Sequence, residues 1–283
     1  MPQKLLVANL FEYALIAAGW WLLWRLQLNP AARARLKTSS IPHWAVSASN
    51  FGIAALCVVG SWLVAQIIAG LLVQQFPVLK TDKTLMTIVG GIMAQLCLIG
   101  GVAIAALFLQ KAEPSATTTS ESADSPALLP AALATCVVTI SIVHPVQYLW
   151  EQLLTQVHLP TDKQEMVEIF FRTASPVRLF GLTAMAVVFA PVAEELVFRA
   201  GLFRFLRGRA PRLIALVLPA LFFASLHVDY ANLKGLVTVA PLTAFGIIFS
   251  LSYERTGRIA VPILAHAFFN LHTVLFLLLG IGE

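Results

Sequence analysis

Long apolar runs separated by short polar stretches dominate the chain. A run of about 20 apolar residues is long enough to cross the roughly 30 Å of hydrocarbon in a bilayer as an α-helix. Runs of about this length occur near residues 5–24, 47–73, 84–109, 128–149, 178–203, 211–228, 235–253 and 259–280. The pattern therefore predicts an all-α fold, a polytopic transmembrane helix bundle of about eight spans.

The composition excludes a soluble globular protein. Of the 283 residues, 59% are hydrophobic and 12% are charged, whereas charged residues make up roughly 25% of ordinary soluble domains. We therefore expect a multi-pass integral membrane protein with the lipid bilayer as a partner, in the plasma membrane if the source is prokaryotic. The net charge of +5 is typical of membrane topology and anionic lipid contact rather than of nucleic-acid binding. The pattern does not indicate an oligomeric state.

The cations are distributed unevenly between the two sides of the predicted bundle. Loops after the first, third, fifth and seventh spans hold Arg25, Arg33, Arg35, Lys37, Lys111, Arg204, Arg207, Arg209, Arg212, Arg255 and Arg258. The loops on the opposite side hold fewer, namely Lys4, Lys80, Lys83, Lys163, Arg172, Arg178 and Lys234. Because cytoplasmic loops collect Lys and Arg, this asymmetry places both termini outside the cytoplasm.

Two connections suggest how the chain is organised. Residues 111–127 are rich in Ser, Thr, Ala and Pro, which predicts a flexible linker. It separates an N-terminal membrane-spanning region, 1–110, with about three helices, from a second membrane domain, 128–283. Residues 151–177 mix apolar and charged positions at a helical spacing, which fits either a helix in the headgroup plane or an ordinary extramembrane helix.

Ionisable residues inside the spans are the informative ones, since each costs about 2.5 to 3.5 kcal/mol at the centre of a membrane helix. They concentrate in the last third of the chain: Glu194, Glu195, Arg199, His227, His266 and, with them, the amide of Asn270. The first half offers Glu12 and His144. For Glu12 we expect an aqueous groove or a neighbouring helix, and for His144 a hydrogen-bonded structural role.

The first polar motif is Glu194-Glu195-x-x-x-Arg199. On a helix, Glu195 and Arg199 are i and i+4 neighbours that can pair, whereas Glu194 is rotated by about 100°. Two adjacent carboxylates repel each other where the dielectric is low, which favours one of them as a proton acceptor. An ordinary salt bridge at a polar helix end fits this motif as well.

Two histidine motifs follow. In Phe223-x-x-x-His227 the imidazole lies at the end of the sixth predicted span, where an interfacial histidine is an alternative interpretation. His266-x-x-x-Asn270 places an imidazole and a carboxamide one turn apart on one helical face inside an apolar run. Without a partner or water, each would lose hydrogen bonds at a cost of about 2 kcal/mol or more.

This combination of groups suits the activation of water. A glutamate and a histidine can remove a proton from water, and a second histidine with an amide can stabilise an oxyanion. The chain has neither an H-E-x-x-H zinc motif nor a G-x-S-x-G nucleophile elbow. We therefore favour no cofactor, with Zn²⁺ as an alternative held by Glu194, His227 and His266.

The three motifs, in this order, resemble those of the CPBP (CAAX-processing and bacteriocin-processing) intramembrane proteases. That family includes the type II CAAX prenyl endopeptidases and relatives of lysostaphin resistance protein A. The resemblance implies an intramembrane endopeptidase of a membrane-associated protein or peptide. It implies that Glu194 with His227 activates water, His266 with Asn270 forms the oxyanion site, and Glu195 with Arg199 supports them.

The resemblance extends by motif over residues 194–270 and leaves two questions open. The family has been described both as metalloproteases and as glutamate proteases, so the resemblance does not decide whether a metal ion takes part in the reaction. The arginine is commonly followed by glycine in the family, whereas Ala200 follows it here. The alternative function is a non-catalytic membrane scaffold or transporter, whose buried polar residues hold helices together or line a path.

Overall fold

The structure, a computed structural model, describes residues 2–35, 39–41, 44–112, 127–162 and 165–279, and within them the fold is all-helical as predicted. In chain order the helices are α1 (Pro2–Leu23), α2 (Pro30–Arg35), α3 (Ala48–Gln75), α4 (Val78–Thr81), α5 (Lys83–Ala112), α6 (Leu128–Gln156), α7 (Glu165–Arg172), α8 (Pro176–Arg207), α9 (Arg212–Ser225), α10 (Val239–Thr256) and α11 (Ala260–Leu278). A π-helical segment, Trp24–Leu28, follows α1, and a short 3₁₀ turn, Leu236–Thr238, precedes α10. Most of the predicted linker, residues 113–126, lies outside the described residues.

Six helices of the described chain are long and apolar enough to cross a membrane: α3, α5, α6, α8, α10 with its preceding turn, and α11. The other two predicted spans correspond to α1 and α9. Helix α9 has 14 residues and is about 21 Å long, which is short of the hydrocarbon thickness. Large apolar side chains such as Leu56 and Phe180 are exposed, as expected for surfaces that face lipid. The protein is a multi-pass integral membrane protein.

Helix α6 is central to the bundle and packs against α1, α10 and α11. Helices α9 and α10 pack together, and α3 pairs with α5, which lies along α8. The largest core cluster forms where α6, α8, α9, α10 and α11 meet, and consists of Ala132, Cys136, Ile140, Val143, Phe198, Phe223, Phe245, Phe249 and Ala265. Cys136 is thus a small hydrophobic core residue.

Helix α8 carries the carboxylate motif and departs from α geometry on both sides of it. The segments Met185–Phe189 and Leu196–Phe203 are π-helical and flank the α-helical stretch Ala190–Glu195. π-Helical bulges are uncommon and occur frequently at functional sites. The irregular backbone of α8 therefore coincides with the predicted site.

Helix α7 covers the bundle with its apolar face turned inward. Ile169 and Phe170 are buried against Leu182 and Met185 of α8 and Val274 of α11. On its polar side, Glu168 accepts a hydrogen bond of 3.3 Å from Lys234, in the loop before α10. The helix predicted within residues 151–177 thus packs on the protein with its apolar face.

The intramembrane polar residues of the first half join α1 to α6. The Nδ1 atom of His144 lies 2.5 Å from Oε1 of Glu12, and the Ser141 hydroxyl donates to the Leu15 carbonyl at 3.1 Å. The expected structural role of His144 thus corresponds to a contact with a neighbouring helix. The ring of His272 lies 5.9 Å from that of His144. Helices from before and after the linker contact each other, since α1 packs on α6 and α5 on α8. The division into two domains at the linker stays a prediction.

A glycine at the end of α10 provides a test of the helix packing. Gly257 adopts φ = 68°, and a Cβ there would lie 2.8 Å from the Ser40 carbonyl oxygen. We expect Gly257→Ala to lower the free energy of unfolding by about 1 to 2 kcal/mol, because a side chain disfavours the left-handed conformation and clashes with Ser40. Thermal unfolding in detergent measures this effect.

The matched control is Gly60→Ala in the middle of α3. A Cβ at Gly60 has nothing within 4 Å, and alanine is a better helix former than glycine by about 1 kcal/mol. We expect this variant to unfold at the wild-type temperature or slightly above it. Equal unfolding temperatures for Gly257→Ala and Gly60→Ala would contradict the account of the α10 terminus.

Candidate active site

A buried ion pair lies at the centre of the site. Glu195 is fully buried and Arg199 is 2% exposed. The guanidinium Nη1 donates to Oε1 of Glu195 at 2.9 Å, one helical turn away, as the i, i+4 spacing predicts. The same Glu195 oxygen lies 2.9 Å from Nδ1 of His266 on α11. One carboxylate oxygen therefore receives two donors and ties α11 to α8.

Glu194 lies on the other side of the His266 ring. Its Oε2 atom is 3.9 Å from Nε2 of His266, and its side chain is 19% exposed. That separation is too long for a direct hydrogen bond, and a water beside both atoms can bond to each of them. His266 thus sits between two carboxylates, with Nδ1 bonded to Glu195 and Nε2 facing Glu194.

Three phenylalanine rings enclose the guanidinium of Arg199. The centroids of Phe223, Phe245 and Phe249 lie 5.0, 5.8 and 5.6 Å from its central carbon. The ring of Phe245 also meets the ring of His266 nearly edge-on, at 4.8 Å. Aromatic faces attract a cation and exclude water from it. Phe245 and Phe249 are not among the site residues that the sequence predicts, because phenylalanine in an apolar span is typical of ordinary core packing.

His227 lies at the end of α9, next to the same aromatic residues. Its Nδ1 atom is 2.9 Å from the carbonyl oxygen of Phe223, and its ring is 4.7 Å from the ring of Phe223. Phe223 stacks on Phe245 at 5.9 Å, and Phe245 reaches His266. Two phenylalanine rings therefore link the two histidines. Across the described residues, His227 has no carboxylate at ion-pairing distance, and its action with Glu194 on a shared water stays a prediction.

Asn270 contacts α8 one turn further along α11. Its Nδ2 atom donates to the main-chain carbonyl of Ala186 at 2.7 Å. The imidazole of His266 and the amide of Asn270 lie on one face of α11, as predicted, and both bind α8. Their two nitrogen donors, Nδ1 and Nδ2, are therefore engaged with Glu195 and Ala186.

The predicted zinc ligands do not form a compact set. In the part of the chain that the structure describes, no group of three or more His, Cys, Asp or Glu side chains lies close enough to hold a metal ion. Glu194 and His266 approach each other, whereas His227 contacts Phe223. The three residues, as placed, do not fit a zinc site.

A separate cavity of about 240 Å³ lies between the end of α1 and helices α6 and α10. Apolar residues such as Leu23, Val138 and Ile248 line most of it, with Arg255 at one side. None of the six predicted site residues contributes to its wall. The cavity is therefore distinct from the carboxylate and histidine centre.

Comparison with known proteins points to the same segment. Residues 176–272 match the family model described as type II CAAX prenyl endopeptidase Rce1-like. The matched range contains all six predicted site residues. No solved structure matches the chain significantly.

Two curated bacterial proteins are similar to part of the chain. The putative membrane peptidase YdiL of Bacillus subtilis (strain 168) is 34% identical over 88 residues, which cover 31% of this chain and 34% of that protein. The membrane-embedded CAAX protease MroQ of Staphylococcus aureus (strain USA300) is 34% identical over 99 residues, or 33% of this chain and 38% of that protein. The chain thus spans about a third of the length of these relatives. The resemblance predicted from the three motifs is confirmed, since residues 176–272 match the family model described as type II CAAX prenyl endopeptidase Rce1-like.

Proposed function

We propose that this protein is an intramembrane endopeptidase that hydrolyses a peptide bond of a membrane-associated protein or peptide. The observation that carries the proposal is the placement of Glu194 Oε2 at 3.9 Å from His266 Nε2, with the buried Glu195–Arg199 pair behind the ring. A partly exposed carboxylate beside an oriented imidazole is an arrangement suited to water activation. The similarity to proteins named as membrane peptidases supports it.

In the proposed reaction, Glu194 is the general base. It accepts a proton from a water molecule, whose oxygen attacks the carbonyl carbon of the substrate. The C–N bond then breaks, and Glu194 returns the proton to the leaving amine. His227, with Nδ1 held by the Phe223 carbonyl, offers its Nε2 atom as a hydrogen-bond acceptor that orients the same water.

His266 supplies the oxyanion contact in this proposal. Its Nδ1 is fixed by Glu195, so the orientation of its Nε2 atom is set before substrate binds. When the ring is protonated, Nε2–H donates to the oxyanion, and Glu195 balances the charge of the imidazolium. Arg199 in turn compensates the charge of the buried Glu195 carboxylate.

The experiment that tests the proposal is a cleavage assay in proteoliposomes. The purified full chain is offered single-span peptides, with and without an isoprenylated cysteine near the C-terminus, in water enriched in ¹⁸O. We expect two fragments from at least one peptide class, with ¹⁸O in the new carboxylate. The two peptide classes separate a prenyl-dependent substrate from a general membrane peptide. The absence of fragments from every peptide favours the scaffold or transporter alternative.

The same assay tests whether cleavage requires a metal ion. We expect cleavage at the same rate after treatment with a strong chelator, because Glu194 and the histidines do not assemble as a metal site. Elemental analysis of the active protein provides the second readout. Stoichiometric zinc that leaves together with activity would replace the metal-free mechanism by the zinc alternative.

A further inference from the structure

The carbonyl of Ala186 in α8 lacks the main-chain donors that a helix normally provides. In α register its donor is the N–H of Ala190, but that N–H bonds to the Met185 carbonyl instead. In π register its donor is residue 191, which is Pro191 and has no N–H. The switch from π to α geometry just before the carboxylate motif therefore removes both helical partners of one carbonyl.

The side chain of Asn270 supplies the missing donor. Its Nδ2 atom lies 2.7 Å from the Ala186 oxygen, which is a good hydrogen-bond distance. In a membrane helix an unsatisfied carbonyl is costly, because lipid offers no replacement donor. The amide thus stands where the N–H of residue 191 would otherwise be.

We propose that Asn270 is a positioning residue that replaces the missing N–H of Pro191. This inference rests on the proposed function for its catalytic consequence. The bond from Asn270 to Ala186 and the bond from His266 to Glu195 hold α11 to α8 at two levels. The first fixes the axial position and rotation of α11, and so keeps Nε2 of His266 opposite Glu194.

A double-mutant cycle between Asn270 and Pro191 tests the proposal. Asn270→Ala removes the donor, and we expect kcat to fall by about 100-fold, as for an ångström-scale misplacement of reacting groups. Pro191→Ala restores a main-chain N–H that can bond to Ala186. In the Asn270→Ala background it should therefore recover at least about tenfold of the lost activity. A main-chain N–H at residue 191 repairs the contact to Ala186 and no other function of Asn270. If Asn270→Ala therefore loses the same activity with Pro191 and with Ala at position 191, the proposal is overturned.

Two further variants keep the test interpretable. Asn270→Asp retains the shape of the side chain but lacks the amide donor, so it serves where Asn270→Ala fails to fold. Pro219→Ala changes another proline within a helix, in α9, and leaves Ala186 untouched. We expect no recovery of Asn270→Ala by Pro219→Ala. Recovery by both proline variants points to general stabilisation and overturns the specific pairing of Asn270 with Pro191.

Thermal unfolding in detergent separates this inference from the proposed function. Asn270→Ala should lower the unfolding midpoint by several degrees, and Pro191→Ala should return part of that shift. If the midpoints show this coupling while no variant, including the wild type, cleaves any peptide, then the positioning role stands and the endopeptidase proposal fails. If neither the midpoints nor the rates are coupled, the positioning role fails by itself.

Discussion

Glu194→Gln is expected to lower the rate of peptide cleavage by at least about 1,000-fold while the protein remains folded. The amide has nearly the same shape as the carboxylate but cannot accept the proton of the attacking water, and general-base catalysis contributes about 10²- to 10⁴-fold. The Glu194 side chain is partly exposed, and its nearest ionic partner lies at 3.9 Å, so the change leaves no buried charge without a partner. Single-turnover cleavage in proteoliposomes measures the effect, and size-exclusion chromatography reports the folded yield.

The matched control is Glu12→Gln. Glu12 is also a carboxylate inside an apolar helix, and it also contacts a histidine, His144. It lies outside the Rce1-like segment, so we expect cleavage per folded molecule close to that of the wild type. Wild-type rates for Glu194→Gln would remove the proposed general base. A Glu194→Gln variant that loses its folded yield, in a protein that never cuts a peptide, would favour the structural alternative.

Arg199→Ala is expected to have the largest effect on stability, a loss of about 3 to 5 kcal/mol in the free energy of unfolding. The substitution leaves Glu195, which is fully buried, without its counter-ion. It also removes the guanidinium from among the rings of Phe223, Phe245 and Phe249. Denaturant or thermal unfolding in detergent measures the loss.

Two comparisons identify the buried charge as the cause. Combining Arg199→Ala with Glu195→Gln removes both charges, and we expect this variant to be more stable than Arg199→Ala alone. Arg172→Ala breaks an i, i+4 pair with Glu168 at 3.6 Å, in which the arginine side chain is 82% exposed, and should cost less than about 1 kcal/mol. Similar losses for Arg199→Ala and Arg172→Ala would contradict the role given to burial.

The features that the sequence predicts best are those determined by local spacing. Spans follow from the length of apolar runs, and the Glu195–Arg199 pair follows from the i, i+4 geometry of a single helix. The separation of Glu194 from that pair has the same origin. The motif order also predicts the Rce1-like segment, because the three polar motifs stand out against apolar surroundings.

Contacts between distant helices are harder to predict. The sequence does not predict that the His266 ring lies between Glu194 and Glu195, or that His227 contacts the Phe223 carbonyl. The short length of α9 and the tilt of each helix are set by packing, which apolar periodicity does not encode. Phe245 carries no signal that distinguishes it from an ordinary core residue.

The role of Asn270 depends on a feature of the sequence, Pro191, that can be interpreted only together with the structure. Pro191, three residues before Glu194, indicates a missing N–H in the helix. The carbonyl that loses its partner depends on the π register of Met185–Phe189, which only the structure reveals. Once that register is known, the bond between Asn270 and Ala186 follows from the need to satisfy every main-chain group in lipid.

The central claim is that Glu194 and His266 form the hydrolytic centre. The most direct measurement is a cryo-electron microscopy structure of the Glu194→Gln variant with an uncleaved membrane peptide bound. The account predicts a peptide carbonyl carbon within about 4 Å of the side chain at position 194, and its oxygen within hydrogen-bonding distance of Nε2 of His266. A peptide held elsewhere, for example in the cavity between α1, α6 and α10, with both side chains far from any peptide bond, would contradict it.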